Sequence, residues 1–216
     1  MHIADNLLTQ QLRNVYWILG KSCGGKTTAA KFLAKKYGMY HYEGDEMRSK
    51  HFASADASQQ PALCRDVPDM LALSVAEIRR WECDIIADMT PMILLDMIRL
   101  SGSNEMIVFD GDISLDTLLP LVNPRRVVYL SADDETIRRD FFRRPDHRHM
   151  VESVEAMDLS RHEKDERIGK LHEIVSEKDQ PLFPKALNGR GILMLVRDDA
   201  STVETSIAAV EGHFGL

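Results

Sequence analysis

The chain has 216 residues, 44% hydrophobic and 28% charged, which suits one α/β domain with a substantial core. Its formal net charge of −7 argues against generic nucleic-acid binding, which needs a basic face. Cys23, Cys64 and Cys83 are too scattered for a disulfide framework or a zinc site, no apolar run is long enough to span a bilayer, and the first ten residues carry Asp5 and Asn6 instead of a signal-peptide core. The expectation is a cytoplasmic protein with no membrane, nucleic-acid or obligate protein partner.

In chain order, Val15 to Leu19 (VYWIL) reads as a buried strand. It runs into Gly20-Lys21-Ser22-Cys23-Gly24-Gly25-Lys26-Thr27, which fits the G-x-x-x-x-G-K-[ST] spacing of the Walker A phosphate loop. Thr27 to Tyr37 then reads as a helix, so the motif stands between strand and helix as its chemistry requires. Glycines let the main chain approach phosphate oxygens closely. Loop N–H groups and the positive end of the helix face those oxygens. Lys26 suits the β- and γ-phosphates, and the Thr27 hydroxyl suits Mg²⁺. The expected ATP contacts are Gly20, Lys21, Ser22, Cys23, Gly24, Gly25, Lys26, Thr27 and Thr28. Cys23 reads as a small filler, because no thiol-activating base stands nearby in sequence.

Met39 to Tyr42 reads as a short strand, followed by Glu43-Gly44-Asp45 and a helix from about Glu46. Ala53 to Gln60 is a loop or frayed helix end, and Asp69 to Glu82 a helix. Asp84 to Asp88 has two readings: a strand ending in a Walker B aspartate, or part of a helix. The helical spacing of Ile85, Ile86, Met89, Met92 and Ile93 favours the second. Pro91 opens a helix to about Leu100, broken at Ser101 to Asn104. Met106 to Phe109 is a core strand ending in Asp110-Gly111. A helix over 115–122, a strand over 126–130 and a helix over 134–142 follow. Arg143 to His149 reads as a polar loop with no apolar anchor, Glu152 to Glu177 as one long polar helix. Ile192 to Val196 is the last strand, and Thr202 to Phe214 a closing helix. Strands alternating with helices imply a parallel sheet covered on both faces. Trp17 and Trp81 read as packing residues, and His147, His149 and His162 as surface residues.

Arg138, Arg139, Arg143, Arg144 and Arg148 form a basic island in an acidic chain, which suggests a small anionic ligand held at one place. Together with the glycine loop, Gly44-Asp45-Glu46-Met47-Arg48 and Asp110-Gly111, the island makes the chain resemble the small P-loop kinases: the nucleoside monophosphate kinases and their shikimate, gluconate and chloramphenicol kinase relatives. The resemblance covers most of the chain in order and spacing, although only the Walker A motif is specific by itself. It implies a three-layer α/β/α P-loop NTPase fold with a five-stranded parallel sheet and a helical lid. The whole chain, 1–216, would be one domain, with a helical acceptor-binding insert about 44–100 and a lid about 138–165. It also implies ATP and Mg²⁺, the metal held by Thr27 and Asp110.

The acceptor side divides two ways. Arg48 matches the adenylate kinase arginine that holds an acceptor phosphate. Asp45 matches the aspartate that contacts the hydroxyl in kinases acting on alcohols. Adenylate kinases place an arginine after Asp-Gly, whereas this chain has Asp110-Gly111-Asp112, and an added carboxylate would repel a phosphorylated acceptor. The expected activity is therefore transfer of the ATP γ-phosphoryl group to a small-molecule hydroxyl. Lys26, Asp45, Arg144 and Arg148 would be catalytic, Arg143 would bind nucleotide, and Asp45, Arg48, Asp110 and Gly111 would line the acceptor site. The alternatives are a nucleoside monophosphate kinase and a nucleotide-regulated binding protein or slow ATPase.

Overall fold

Every residue of Val15–Gly20, strand β1, is buried, because β1 lies at the centre of a sheet covered on both faces. The computed structural model describes residues 4–102, 105–176, 183–198 and 200–216. The other strands are β2 (Tyr40–Glu43), β3 (Ile107–Asp110), β4 (Val127–Ala132) and β5 (Leu193–Arg197). They pair in the order β2-β3-β1-β4-β5, all parallel. The helices are α1 (Asp5–Gln11), α2 (Lys26–Tyr37), α3 (Gly44–Ser54), α4 (Val75–Ser101), α5 (Leu115–Leu118), α6 (Asp134–Asp140), α7 (Pro145–Glu155), α8 (Arg161–Val175) and α9 (Val203–Phe214).

Alternation along β1 divides the core into two layers. Val15, Trp17 and Leu19 join Tyr42, Phe109 and Val127 against Ile85, Met89, Ile93 and Met97 of α4. Tyr16 and Ile18 join Val108, Val128 and Leu130 against Ala29, Ala30 and Leu33 of α2 and Val210 and Phe214 of α9. The result is an α/β fold of three layers. All five strands point the same way, so the loops after their carboxyl ends gather at one edge, where ligands bind in open α/β sheets.

The helices differ from expectation where packing or capping overrides the local pattern. The two helices expected over 69–82 and 91–100 are one, α4, and Asp84 to Asp88 lies inside it. It starts at Val75 because Ser74 and Glu77 form a reciprocal capping box. Pro91 sits in its interior, at a general cost of about 3 kcal/mol. Burial of Met89, Ile93 and Met97 offsets that, at roughly 1.5–3 kcal/mol for each fully buried side chain. Ser74→Ala should remove about 1 kcal/mol of stability. A melting temperature lower by about 2–4 °C in a calorimetric scan is the expected outcome for a chain of this size.

The expected polar loop over 143–149 is a 3₁₀ turn, Phe141–Arg143, followed directly by α7. Pro145 suits a first helical position and Asp146 complements the helix dipole. The segment also has apolar anchors: Val154 is buried, and Met150 packs against Cys23, Ala132, Ile137 and Phe141. The long helix expected over 152–177 divides into α7 and α8, because Ser160 and Glu163 make a second capping box. The helix expected over 115–122 stops at Leu118. Ser103 and Asn104, in the expected break, and Glu177, at the expected helix end, lie outside the described residues. The sequence reading had no counterpart of α1.

Candidate functional site

The turn between β1 and α2 is held tightly against β4. The Lys21 amide donates to the Leu130 carbonyl at 3.0 Å. A Cβ on Gly20 would lie 1.8 Å from that same oxygen, and one on Gly24 2.5 Å from it, so neither position admits a side chain. Gly20 (φ +136°), Cys23 (φ +60°) and Gly25 (φ +91°) have positive φ, conformations open mainly to glycine. Cys23 takes that conformation without being glycine, a strain that tends to gather at functional turns.

This turn delivers the chain into a helix whose start is uncapped. Gly25 is the N-cap of α2 and provides no side-chain acceptor. The first N–H groups of the helix therefore lack the partner that Ser74 gives α4 or Ser160 gives α8. The Lys26 ammonium folds back onto the loop, donating to the carbonyls of Gly20 at 2.8 Å and Lys21 at 3.1 Å. An ammonium has three N–H groups, so one remains for a ligand. Ser22 and Thr27 are half-buried, Thr28 is exposed and Lys21 is buried.

Two arginines reach this turn. Arg197, the last residue of β5, donates to the Cys23 carbonyl at 3.0 Å and to Asp140 at 3.2 Å. The bond from Arg139, with the charges of Arg197 and Arg143, holds the Asp140 carboxyl below the usual carboxylate range. Arg144 donates to Asp146 at 2.6 Å and also interacts with the Cys23 side chain. Burial pushes the Cys23 thiol up, against the pull of Arg144, so it stays protonated and unreactive. Arg143 is exposed, and Arg148 is engaged with Glu152 at 2.9 Å on the outer side of α7. The turn thus gathers Arg144 and Arg197, while Arg143 and Arg148 stand further out.

Beside the turn lies a recess of about 290 Å³, bounded by Gly25, Thr28, Leu130, Arg197, Val203 and Ile207. It is walled by the start of α2, the end of β4 and the start of α9.

The acceptor-side residues meet through two glycines. Gly44, opening α3, and Gly111, after β3, are in contact: a Cβ on Gly111 would lie 3.1 Å from the Gly44 Cα. This approach sets the start of α3 on the end of β3 and so brings the Asp45 segment to Asp110. Asp110 is 3% exposed and accepts a 2.7 Å bond from His41 Nε2, a β2 residue that the sequence reading did not single out. Asp45 is exposed in the first turn of α3 and does not cap it; the cap position is Glu43. Arg48 lies one turn further on, its guanidinium 5.6 Å from the Phe52 ring.

His147, expected at the surface, is stacked on Phe141 with centroids 4.2 Å apart. Burial lowers its pKa, while the charges of Asp146 and Asp45 pull it up. The charge of Asp45, in the first turn of α3, is thus felt at His147 in the first turn of α7. The signal that sequence reasoning passed over was position: His147 lies between Arg144 and Arg148, and Arg197 ends strand β5 at the carboxyl end of the sheet, where ligands bind in open α/β folds.

No family model and no curated protein matches the chain. Among solved structures, a protein of Chloroflexus aurantiacus J-10-fl called a "putative kinase" is similar with a TM-score of 0.47 and 12% identity. That likeness covers 93% of this chain and 99% of the other. An uncharacterized protein of Eubacterium ventriosum ATCC 27560 gives 0.42 and 13%, covering 93% and 97%. Scores at this level carry no argument about activity; the sheet order and the geometry of the turn carry the reading below. Among the described residues no helix is long and apolar enough to cross a membrane.

Proposed function

We propose that the chain is an ATP-dependent phosphotransferase of the P-loop kinase type, acting on the hydroxyl of a small molecule. The observation that carries this reading is the β1–α2 turn. Three positive-φ residues, an uncapped twelve-residue helix and a lysine folded onto the loop carbonyls form an anion cradle. The adjoining recess is of a size for the rest of a nucleotide. The carboxylate of Asp110 and the hydroxyl of Thr27 are suitable oxygen ligands for Mg²⁺. Bound there, the metal would neutralise charge on the transferring phosphoryl group.

In this reading Lys26 and the loop amides bind the β- and γ-phosphates. Arg197 and Arg144 border the cradle and add positive charge where the equatorial oxygens gather it. The acceptor oxygen bonds to phosphorus as the bond to the ADP oxygen breaks, and Asp45 takes the hydroxyl proton. Asp110 is the less available of the two to an incoming acceptor, because its carboxylate is buried and already bonded to His41. The helical segment 44–100 would wall the acceptor, and 138–165 would cover the phosphates. That cover is α6, α7 and the start of α8 rather than a loop, so closure would be a shift of packed helices. An exposed Asp112 beside Gly111 disfavours an acceptor that already carries phosphate.

Binding is tested by calorimetric melting with and without ATP and Mg²⁺. At a hundredfold excess over the dissociation constant, stability should rise by about 2.7 kcal/mol, or about 5–10 °C for this size. Identical melting in both conditions contradicts nucleotide binding.

A further inference from the structure

A second cluster of positive charge lies at the opposite edge of the sheet. Arg13 precedes β1 and Arg126 precedes β4, and these two strands are neighbours. Between them is a recess of about 330 Å³ lined by Thr9, Leu12, Arg13, Val122, Asn123 and Arg126. No carboxylate lines it. The Arg126 guanidinium lies 4.0 Å from the centre of the Tyr16 ring, which fixes its plane. Its Nη1 is buried and has no hydrogen-bond partner. Among the described residues, Arg13, Arg125 and Arg126 take part in no ion pair, although the chain carries a net charge of −7.

Guanidinium groups left without a counter-ion around one recess of an acidic chain suit an anion that bridges them. Here the donor is a planar fork held by an aromatic ring, with a second guanidinium across the recess and neutral polar groups, Thr9 and Asn123, beside it. That donor set matches an oxyanion. A cation would meet only repulsion. A neutral apolar ligand would leave both guanidinium charges without a counter-ion.

We propose that this recess binds a small oxyanion, either phosphate or the carboxylate of a small metabolite, at a site separate from the β1–α2 turn. The two lie at opposite ends of β1, roughly 20 Å apart at about 3.3 Å per residue. Leu12 and Arg13 lead straight into that strand, so an anion held here rests on the same element that presents the glycine loop. This site does not depend on the kinase reading.

The test is an amide NMR titration of the ¹⁵N-labelled chain with inorganic phosphate, repeated with succinate. Saturable shifts are expected at Arg13, Asn14, Asn123 and Arg126, with a dissociation constant on the order of 1 mM or tighter for at least one probe. Which probe saturates identifies the oxyanion. Arg13→Met, an exposed position that is safe for folding, should weaken binding roughly tenfold or more, and Arg126→Met likewise. Lys26→Ala should remove any phosphate shifts at residues 20–28 and leave those at Arg13 and Arg126 unchanged. Shifts confined to 20–28, absence of saturation at the distal residues with both probes, or unaltered distal binding in Arg13→Met would each overturn the proposal. In those cases the recess is a solvated basic surface.

Discussion

Lys26→Ala should lower turnover by about 10³-fold or more and weaken ATP binding at the same time. Removing one preorganised donor from a developing negative charge generally costs about 10²–10³ in rate, and here the donor is a full charge. The structure adds a second reason. The Lys26 ammonium also ties the carbonyls of Gly20 and Lys21, so its loss frees the loop in which three residues already hold positive φ. Part of the effect should therefore appear as disorder of the cradle before any ligand arrives. Lys26→Arg is an instructive companion, because it keeps the charge but replaces a compact ammonium with a planar fork. It should bind nucleotide weakly and still turn over poorly. Steady-state kinetics and titration calorimetry separate these effects, and a thermal melt shows whether the variant is folded. An alanine variant with unchanged nucleotide affinity would mean that the turn is not a phosphate site.

Asp45→Asn is expected to leave nucleotide binding intact and to reduce kcat by about 10²–10⁴-fold, the usual cost of losing a general base. The structure makes this a clean substitution. Asp45 is exposed and makes no capping bond in α3, so the amide should fold normally, with a melting temperature close to that of the parent. Asp110→Asn differs in kind. That side chain is buried against His41, and its loss should both destabilise the fold and raise the Mg²⁺ concentration needed for activity. Comparing the two assigns the proton acceptor. A fall in kcat for Asp45→Asn that is not relieved by added Mg²⁺ points to proton transfer. Full turnover in that variant would leave Asp45 as a surface acid.

Much of this architecture was legible from local patterning. The inner strands β1, β3 and β4 are short apolar runs, and parallel strands buried on both faces read that way whatever their neighbours are. The glycine turn was legible because its spacing is a steric requirement: a side chain at Gly20 or Gly24 would run into the Leu130 carbonyl. The helices were harder. Pro91 signals a helix start in isolation, but in α4 it sits mid-helix, where the packing of Met89, Ile93 and Met97 against the sheet overrides it. The stretch after Arg143 looked polar because its anchors, Met150 and Val154, come after the charged residues and meet partners distant in sequence.

The site residues missed by sequence are those that the fold, and not the chain, brings near. Arg197 reaches Cys23 across 174 positions, and His41 reaches Asp110 across 69. His147 looked like one more surface histidine, but its ring is stacked on Phe141. No motif encodes such contacts. An arginine at the carboxyl end of a strand in a parallel sheet is nevertheless a usable signal, because ligands bind at that end in open α/β folds.

Transfer of a phosphoryl group to a small hydroxylated molecule is tested by following the group itself. The purified chain is incubated with γ-³²P-labelled ATP, Mg²⁺ and pools of small metabolites, and the labelled products are resolved by chromatography. Label is expected on an alcohol that carried no phosphate at the start, with none transferred by Lys26→Ala. Label recovered on a nucleoside diphosphate would replace the acceptor assignment with a nucleoside monophosphate. Label found only as inorganic phosphate, whatever pool is supplied, would rule out a phosphotransferase and leave a nucleotide hydrolase.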